Sequence, residues 1–185
     1  MFNFLKKVLS IFIIFNLTFV TSAQAAATFD DINGDGTGFD VSDQGTNARS
    51  VAFNNDGTKM FVVDKAHEEI NVYTLTTGFD LSTATFNDIN GDGSGFDVSD
   101  QDDATRGFAF NNDGTIMYYI GNTDNEIFVY TLSTGFDLST ATFNDINGDG
   151  TGFDVSGQEA NPQGIAFNND GTKMFVVGTS GDDVN

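Results

Sequence analysis

A tandem repeat of constant length, free of insertions and deletions, constrains this chain more than any other feature of its sequence. The segment TFDDINGDG starts at Thr28 and returns at Thr85 and Thr142, with one Asp changed to Asn. The segment AFNNDGT, which starts at Ala52, also returns twice at the same step. Near-identical units should adopt the same local structure and stack on one another. They span residues 28–84, 85–141 and 142–185, and the third is truncated.

Each unit has the pattern of short strands separated by turns. In the first unit, β-prone or apolar segments cover residues 50–53, 59–63, 70–75 and, more weakly, 84–89. The segment Asn54–Gly57 predicts a tight hairpin turn, because Asn and Asp tolerate turn geometry and Gly supplies a positive φ. The nearly continuous apolar run at 59–63 suits a strand that is covered on both faces.

Four short strands per unit, repeated in tandem, predict an all-β fold: a β-propeller built from 57-residue four-stranded antiparallel blades. A β-solenoid is the main alternative, but its coils are usually shorter than this unit. No segment shows sustained helical periodicity, and the single proline, Pro162, is predicted in a loop. Because fewer than three units are present, we expect an incomplete propeller that needs further blades or self-association to close its ring.

The repeated hairpin resembles that of a known family. Residues 52–63 (AFNNDGTKMFVV) resemble the F-S-P-D-G-x-x-[LM]-[YF]-V hairpin of bacterial YVTN-type and lactonase-like propellers, and residues 70–75 (INVYTL) resemble their third strand. Asn55 stands where that family often has Pro. The resemblance implies a propeller fold. It leaves the function open, because the superfamily includes lactonases, surface proteins and binding scaffolds.

The segment from Met1 to Ala25 has the features of a secretory signal peptide. Two lysines precede an apolar run from Val8 to Val20, and the segment ends in Ala-Gln-Ala, a small-x-small cleavage signal. An uncleaved membrane anchor is the alternative, although the apolar run is short for a span of about 20 residues. We therefore predict a signal peptide at residues 1–25, a partial propeller at 26–185, and a secreted or periplasmic protein without a membrane span after cleavage.

The mature part is strongly acidic. It carries all 27 Asp and Glu against five of the seven Lys and Arg, which gives a net charge of −22. Such a charge keeps a protein soluble and repels nucleic acid and anionic membranes, so neither is expected as a partner. The sequence contains no Cys, which excludes disulfides and thiol chemistry.

The most specific motif is Asp-x-Asn-x-Asp-Gly, present once in each unit. Alternate oxygen ligands followed by Gly match the first half of a calcium loop and resemble the opening of EF-hand, dockerin and integrin-propeller loops. The second half departs, because Ser occupies the twelfth position, which normally holds Glu or Asp. A plain polar turn between blades is therefore the alternative to a Ca²⁺ site. The candidate ligands are Asp31, Asn33, Asp35, Asp88, Asn90, Asp92, Asp145, Asn147 and Asp149.

Candidate ligand-binding residues come from the two stretches in which the units differ. Arg49 and Arg106 occupy equivalent positions, and the third unit has Gln163 there. They either face a ligand at the channel mouth or neutralise neighbouring carboxylates. His67, the only histidine, is predicted to be a solvated loop residue rather than a general base.

A Thr/Ser-Gly-Phe-Asp tetrad occurs five times and is expected to bury its Phe as an anchor between blades. The copies start at Thr37, Thr77, Ser94, Thr134 and Thr151.

These observations favour an exported propeller that acts as a binding or surface-interaction module for an extracellular or periplasmic ligand. Near-identical units and the absence of the usual nucleophile–base pairs support this interpretation. The alternatives are a lactonase-like hydrolytic enzyme whose site lies in blades outside this sequence, and a calcium-stabilised surface structural protein.

Overall fold

The computed structural model describes residues 32, 37–168, 170–181 and 183–185. The predicted signal peptide lies outside these residues, and so do Asp31, Asn33 and Asp35 of the first candidate calcium loop. Within the described ranges, no helix is long and apolar enough to cross a bilayer.

The first blade is an antiparallel meander. Its strands are β1 (Ala48–Phe53), β2 (Lys59–Asp64), β3 (Glu69–Leu75) and β4 (Ala84–Phe86), which pair in that order. A further short strand, β5 (Phe96–Asp97), pairs with the beginning of β3. The fourth strand is therefore split, and its two pieces flank an excursion of the chain rather than forming the single predicted segment 84–89.

The second blade repeats this arrangement strand for strand. It contains β6 (Thr105–Phe110), β7 (Ile116–Gly121), β8 (Glu126–Leu132) and β9 (Ala141–Phe143), with β10 (Phe153–Asp154) paired to the beginning of β8. The equal registers of the two sheets follow from the equal sequences of the units.

The third unit contributes an inner hairpin, β11 (Pro162–Phe167) and β12 (Met174–Gly178), and an isolated bridge joins Val177 to Val184. Pro162 was predicted in a loop, and this prediction is wrong. It is the first residue of β11, a position where a strand tolerates the missing N–H. The described strands thus confirm an all-β, propeller-like architecture with two full blades and the start of a third.

The predicted hairpin turn after the inner strand is confirmed. Gly57 has a φ of +72°, and its N–H donates to the carbonyl of Asn54 over 3.1 Å. The Asn54 side-chain oxygen accepts the N–H of Lys59, and Asp56 accepts the N–H of Thr58. Short polar side chains thus satisfy the turn's own backbone, which is why this sequence closes a hairpin.

Neighbouring blades pack face to face, as the apolar run in β2 predicts. Phe61 and Val63 lie in one core with Met117 and Tyr119 of the second blade. On the other face of β2, Met60 packs in a separate core that includes residues from before β1. The second strand of a blade is therefore covered on both sides.

The repeated Thr/Ser-Gly-Phe-Asp tetrads have two different roles. Phe39 meets Tyr73 edge-on at 5.4 Å, and Phe96 meets Tyr130 edge-on at 5.3 Å, which confirms the predicted anchoring. Phe79 and Phe153, by contrast, are 61% and 48% exposed, so the prediction is wrong for these two copies.

Candidate functional site

The two loops in which the units differ meet at one end of the blades, which we call the variable end. These are the loop that leads into the inner strand (residues 43–49 in the first unit) and the β2–β3 loop (64–69). Lys65 N–H donates to the carbonyl of Asn47 over 3.0 Å, and this bond joins the two loops. The equivalent bonds in the second and third units run from Asn122 to Ala104 over 3.1 Å and from Thr179 to Asn161 over 3.2 Å.

A buried carboxylate holds the two loops together in the second blade. Asp102 is 4% exposed and accepts the N–H of Ala104 at 2.6 Å, of Thr123 at 3.0 Å and of Asp124 at 3.2 Å. Gly121 lies against it, so close that an added Cβ would stand 2.2 Å from the Asp102 Cγ. The carboxylate therefore fills the space that a side chain at Gly121 would need.

The first blade places its carboxylate from the opposite loop. Asp64, at the end of β2, is 1% exposed and accepts the N–H of Asn47 at 2.6 Å and of His67 at 2.9 Å. Here Gly45, in the lead-in loop, has no room for a side chain, since its Cβ would stand 2.6 Å from the Asp64 Cγ.

The third unit uses a longer acid. Glu159 is 1% exposed, and its Oε1 accepts the N–H of Asn161 at 2.8 Å and of Ser180 at 3.0 Å. Burial by itself would raise the pKa of Glu159, but the hydrogen bonds outweigh burial and lower it. Gly178 again makes room for the acid.

These three arrangements form one recurring structure, which we call the carboxylate clamp. Between the first and second units, the acid and the glycine exchange places between the two loops, and the third unit keeps the arrangement of the second. Sequence reasoning missed the clamp, although the reciprocal exchange was visible once the copies were aligned. The pairs are Gly45 with Asp64, Asp102 with Gly121, and Glu159 with Gly178.

His67 belongs to the clamp of the first blade. Its Nδ1 lies 2.7 Å from Asp64 Oδ2, and its side chain is 52% exposed. It is thus a half-solvated loop histidine that is oriented by a buried carboxylate.

The two arginines lie beside the clamp, at the start of the inner strands β1 and β6. Arg106 Nη2 donates to Asn122 Oδ1 over 3.0 Å, and its Nε is buried without a hydrogen-bond partner. Burial lowers the pKa of Arg106, the charge of Arg49 lowers it further, and Asp102 opposes both effects. Within the described ranges, neither arginine forms an ion pair, so the predicted neutralisation by neighbouring carboxylates is not seen as direct contact.

Side-chain amides extend this site from the second unit to the third. Asn122 Nδ2 donates to Asn161 Oδ1 over 2.8 Å. Gln163, which stands where the other units have arginine, donates to the same oxygen over 2.7 Å. The variable end thus carries a continuous polar network across neighbouring blades.

The excursion that splits the fourth strand contains the candidate calcium motif. In the second copy of the motif, Asp88 accepts the N–H of Gly91 at 2.6 Å, of Asp92 at 3.2 Å and of Gly93 at 2.9 Å. Asp92 in turn accepts the side-chain and backbone donors of Ser94, which lower its pKa. The loop's polar groups thus satisfy one another.

The next copy of the motif has the same geometry. Asp145 accepts the N–H groups of Gly148, Asp149 and Gly150 at 2.6–3.2 Å, and Asn147 donates to the carbonyl of Gly152. In the part of the chain that the structure describes, no three acidic or histidine side chains converge as a metal-binding group. Ca²⁺ prefers six to eight oxygens, and each loop offers three predicted side chains. Calcium binding stays a prediction.

A groove of about 500 Å³ runs along the inner strands at the opposite, hairpin end. Its walls include Phe53, Phe110 and Phe167, one from each unit. Asn55 Nδ2 donates to the carbonyl of Asn112 over 2.7 Å and so links the first two hairpins. Because the lining repeats with the unit, this groove carries less unit-specific chemistry than the variable end.

Neither the protein-family models nor the curated proteins contain a match to this chain. Among solved structures, it is similar to a candidate 6-phosphogluconolactonase from Bacteroides uniformis, with 14% sequence identity and a TM-score of 0.52. The fold is that of the lactonase-like propellers. The match covers 76% of this chain but 39% of the other, so the chain spans about two fifths of that protein's length. At this identity the likeness shows the fold alone.

Proposed function

We propose that this chain is an exported propeller of the YVTN type that binds its ligand at the variable end. The observation that carries the proposal is the location of the differences between units. The repeated hairpins and excursions are nearly identical, whereas the lead-in and β2–β3 loops differ and lie together. Loops on a rigid scaffold are where such folds carry recognition residues.

The polar network supports the same surface. It joins arginine and amide side chains of neighbouring blades, and buried carboxylates fix the backbone from which they project. A site held by secondary hydrogen bonds loses little conformational freedom when a ligand binds.

An exchange of loops tests the proposal without breaking the clamp. Residues 100–106 and 121–126 of the second blade are replaced together by residues 157–163 and 178–183 of the third, which also puts Gln in place of Arg106. Both clamp partners move as a pair, so the melting temperature should stay near that of the natural sequence. Small molecules that raise the melting temperature of the natural chain should lose at least about tenfold in affinity, measured by calorimetry. Unchanged affinity for every such molecule would reject the variable end as the binding surface.

A matched control alters the hairpin end. Lys173→Gln changes one charge outside the variable end and should leave the affinities unchanged.

Export is tested separately: N-terminal sequencing of the mature protein should give Ala26 or a neighbouring residue, and an intact Met1 in a membrane fraction would contradict it.

The lactonase-like fold makes hydrolysis the second candidate function. Its test is proton release from simple lactones, followed at constant pH with the chain and with His67→Ala. Hydrolysis that depends on His67 would favour the enzyme over the binding module.

A further inference from the structure

We propose that Arg49 and Arg106 together hold an oxyanion, either a carboxylate or a phosphate group, at the variable end. This inference rests on the proposed binding surface and adds the chemical class of its ligand.

The fold places the two arginines on inner strands that pack against each other. They occupy equivalent positions of successive units, on the neighbouring inner strands β1 and β6. Burial lowers the pKa of Arg106, and the charge of Arg49 lowers it further. Two like charges held side by side are compensated when an anion lies between them.

The protein's own carboxylates do not supply that anion. The chain has 27 acidic residues, yet within the described ranges the ion pair that forms is between His67 and Asp64. Asp102, the carboxylate whose charge acts on Arg106, is buried and already accepts three backbone N–H groups. The arginines are therefore left with donor capacity in a protein rich in acceptors.

One donor is both oriented and unused. Asn122 fixes Arg106 through Nη2, while the buried Nε of the same guanidinium has no partner. Buried polar groups are almost always hydrogen-bonded, so the unpaired Nε marks a guanidinium whose hydrogen bonds the described residues do not complete. A guanidinium presents its donors in a planar fork that matches two oxygens of a carboxylate or phosphate.

The third unit sets the limit of the charged region. Gln163 replaces arginine there, and its amide donates to Asn161 Oδ1. Two cations followed by neutral amides suit a ligand with one anionic group joined to an uncharged polar part.

The experiment uses the whole chain at constant ionic strength and measures binding by calorimetry. The probes are inorganic phosphate and succinate, with chloride as the reference anion. One probe or both should bind, and the stronger of the two identifies the group. Arg106→Gln and Arg49→Gln, which copy the residue of the third unit, should each weaken binding at least about tenfold. Arg106→Lys keeps the charge but loses the fork and should also weaken it.

Lys173→Gln serves as the matched control, because it removes one positive charge outside this site, and it should leave binding unchanged. Because Arg49 is exposed, its variant reports on binding even if Arg106→Gln disturbs the fold. Equal affinity in the natural chain and both arginine variants overturns the inference. Absence of binding by both probes also overturns it, and the proposed function survives that result if the loop exchange still abolishes binding of another molecule.

Discussion

The first and second blades hold the same carboxylate at the same point of the fold, but take it from opposite loops. In the first blade Asp64 faces Gly45, and in the second Asp102 faces Gly121. Both carboxylates accept the N–H of the residue directly before the inner strand, which is Asn47 in the first blade and Ala104 in the second. The fold therefore requires an acceptor at this point and is indifferent to which loop supplies it.

The strongest way to break this comparison is to supply the acid from both loops at once. Gly121→Asp would place a second carboxylate at a position where an added Cβ alone would stand 2.2 Å from Asp102 Cγ. We expect a loss of about 4 kcal/mol in the free energy of unfolding, or failure to fold, because overpacking and buried like charges add. Urea denaturation followed by circular dichroism measures it.

Gly157→Asp is the matched control for that variant. It adds the same side chain at a glycine whose Cβ would meet nothing within 4 Å, and it restores the residue of the other units. Its effect should stay within about 0.5 kcal/mol. Equal losses in the two variants would mean that crowding at the clamp is not the cause.

Removing the acid from the second blade should have the next largest effect. Asp102→Gly leaves three backbone N–H groups without their acceptor and should cost about 3 kcal/mol in the same measurement.

The decisive comparison is the double variant Asp102→Gly with Gly121→Asp, which gives the second blade the arrangement of the first. It should recover to within about 1 kcal/mol of the natural chain, since the two changes are coupled through one contact. Additive losses would show that the two blades are not interchangeable at this point.

A smaller loss of stability is expected when the contact between the His67 ring and Asp64, which only the first blade has among the described residues, is removed. His67→Ala removes the imidazole from Asp64 but leaves both backbone donors in place. Because the ring is half exposed, the loss should be below about 1 kcal/mol by urea denaturation. A loss as large as that of Asp102→Gly would make the ring, rather than the backbone, the main partner.

The smallest effect concerns the third unit and depends on pH. The folded-state pKa of Glu159 lies below its usual 4.5, so its ionised form stabilises the fold above pH 4.5. That contribution is lost as the pH falls through the lowered value. The difference in stability between the natural chain and Glu159→Gln should therefore shrink on acidification below pH 4.5. A difference that is constant with pH would indicate that the charge of Glu159 plays no part.

The sequence predicted those features that depend on residues close together in one unit. The Asn54–Gly57 turn and the doubly covered strand around Phe61 follow from local composition, and the structure confirms both. The blade architecture follows from repetition of these elements. The sequence also identified Arg49 and Arg106 as candidate ligand-binding residues, and the structure places them on adjacent inner strands.

The remaining features depend on contacts that no single segment contains. The clamp joins two loops that are separated in the chain by a whole hairpin, as Gly45 and Asp64 are in the first blade. The exchange of acid and glycine that reveals it in the sequence appears only when units are compared. Tetrads with the same residues diverge because Phe39 meets the ring of Tyr73, whereas Phe79 lies over a hairpin turn. Local sequence gives the same turn tendency in both cases, and tertiary surroundings decide the burial.

The split fourth strand also affects whether copies of this chain can pair with one another through their sheet edges. Near-identical units in tandem invite a strand of one molecule to pair with the equivalent edge of another. In both full blades the outermost edge is reduced to short pieces, such as Ala84–Phe86 and Phe96–Asp97. Between them, the acidic excursion with Asp88 and Asp92 projects from the sheet. Short, charged edges are poor templates for a growing ladder, so the excursion protects the protein against edge-to-edge aggregation, with or without a bound metal.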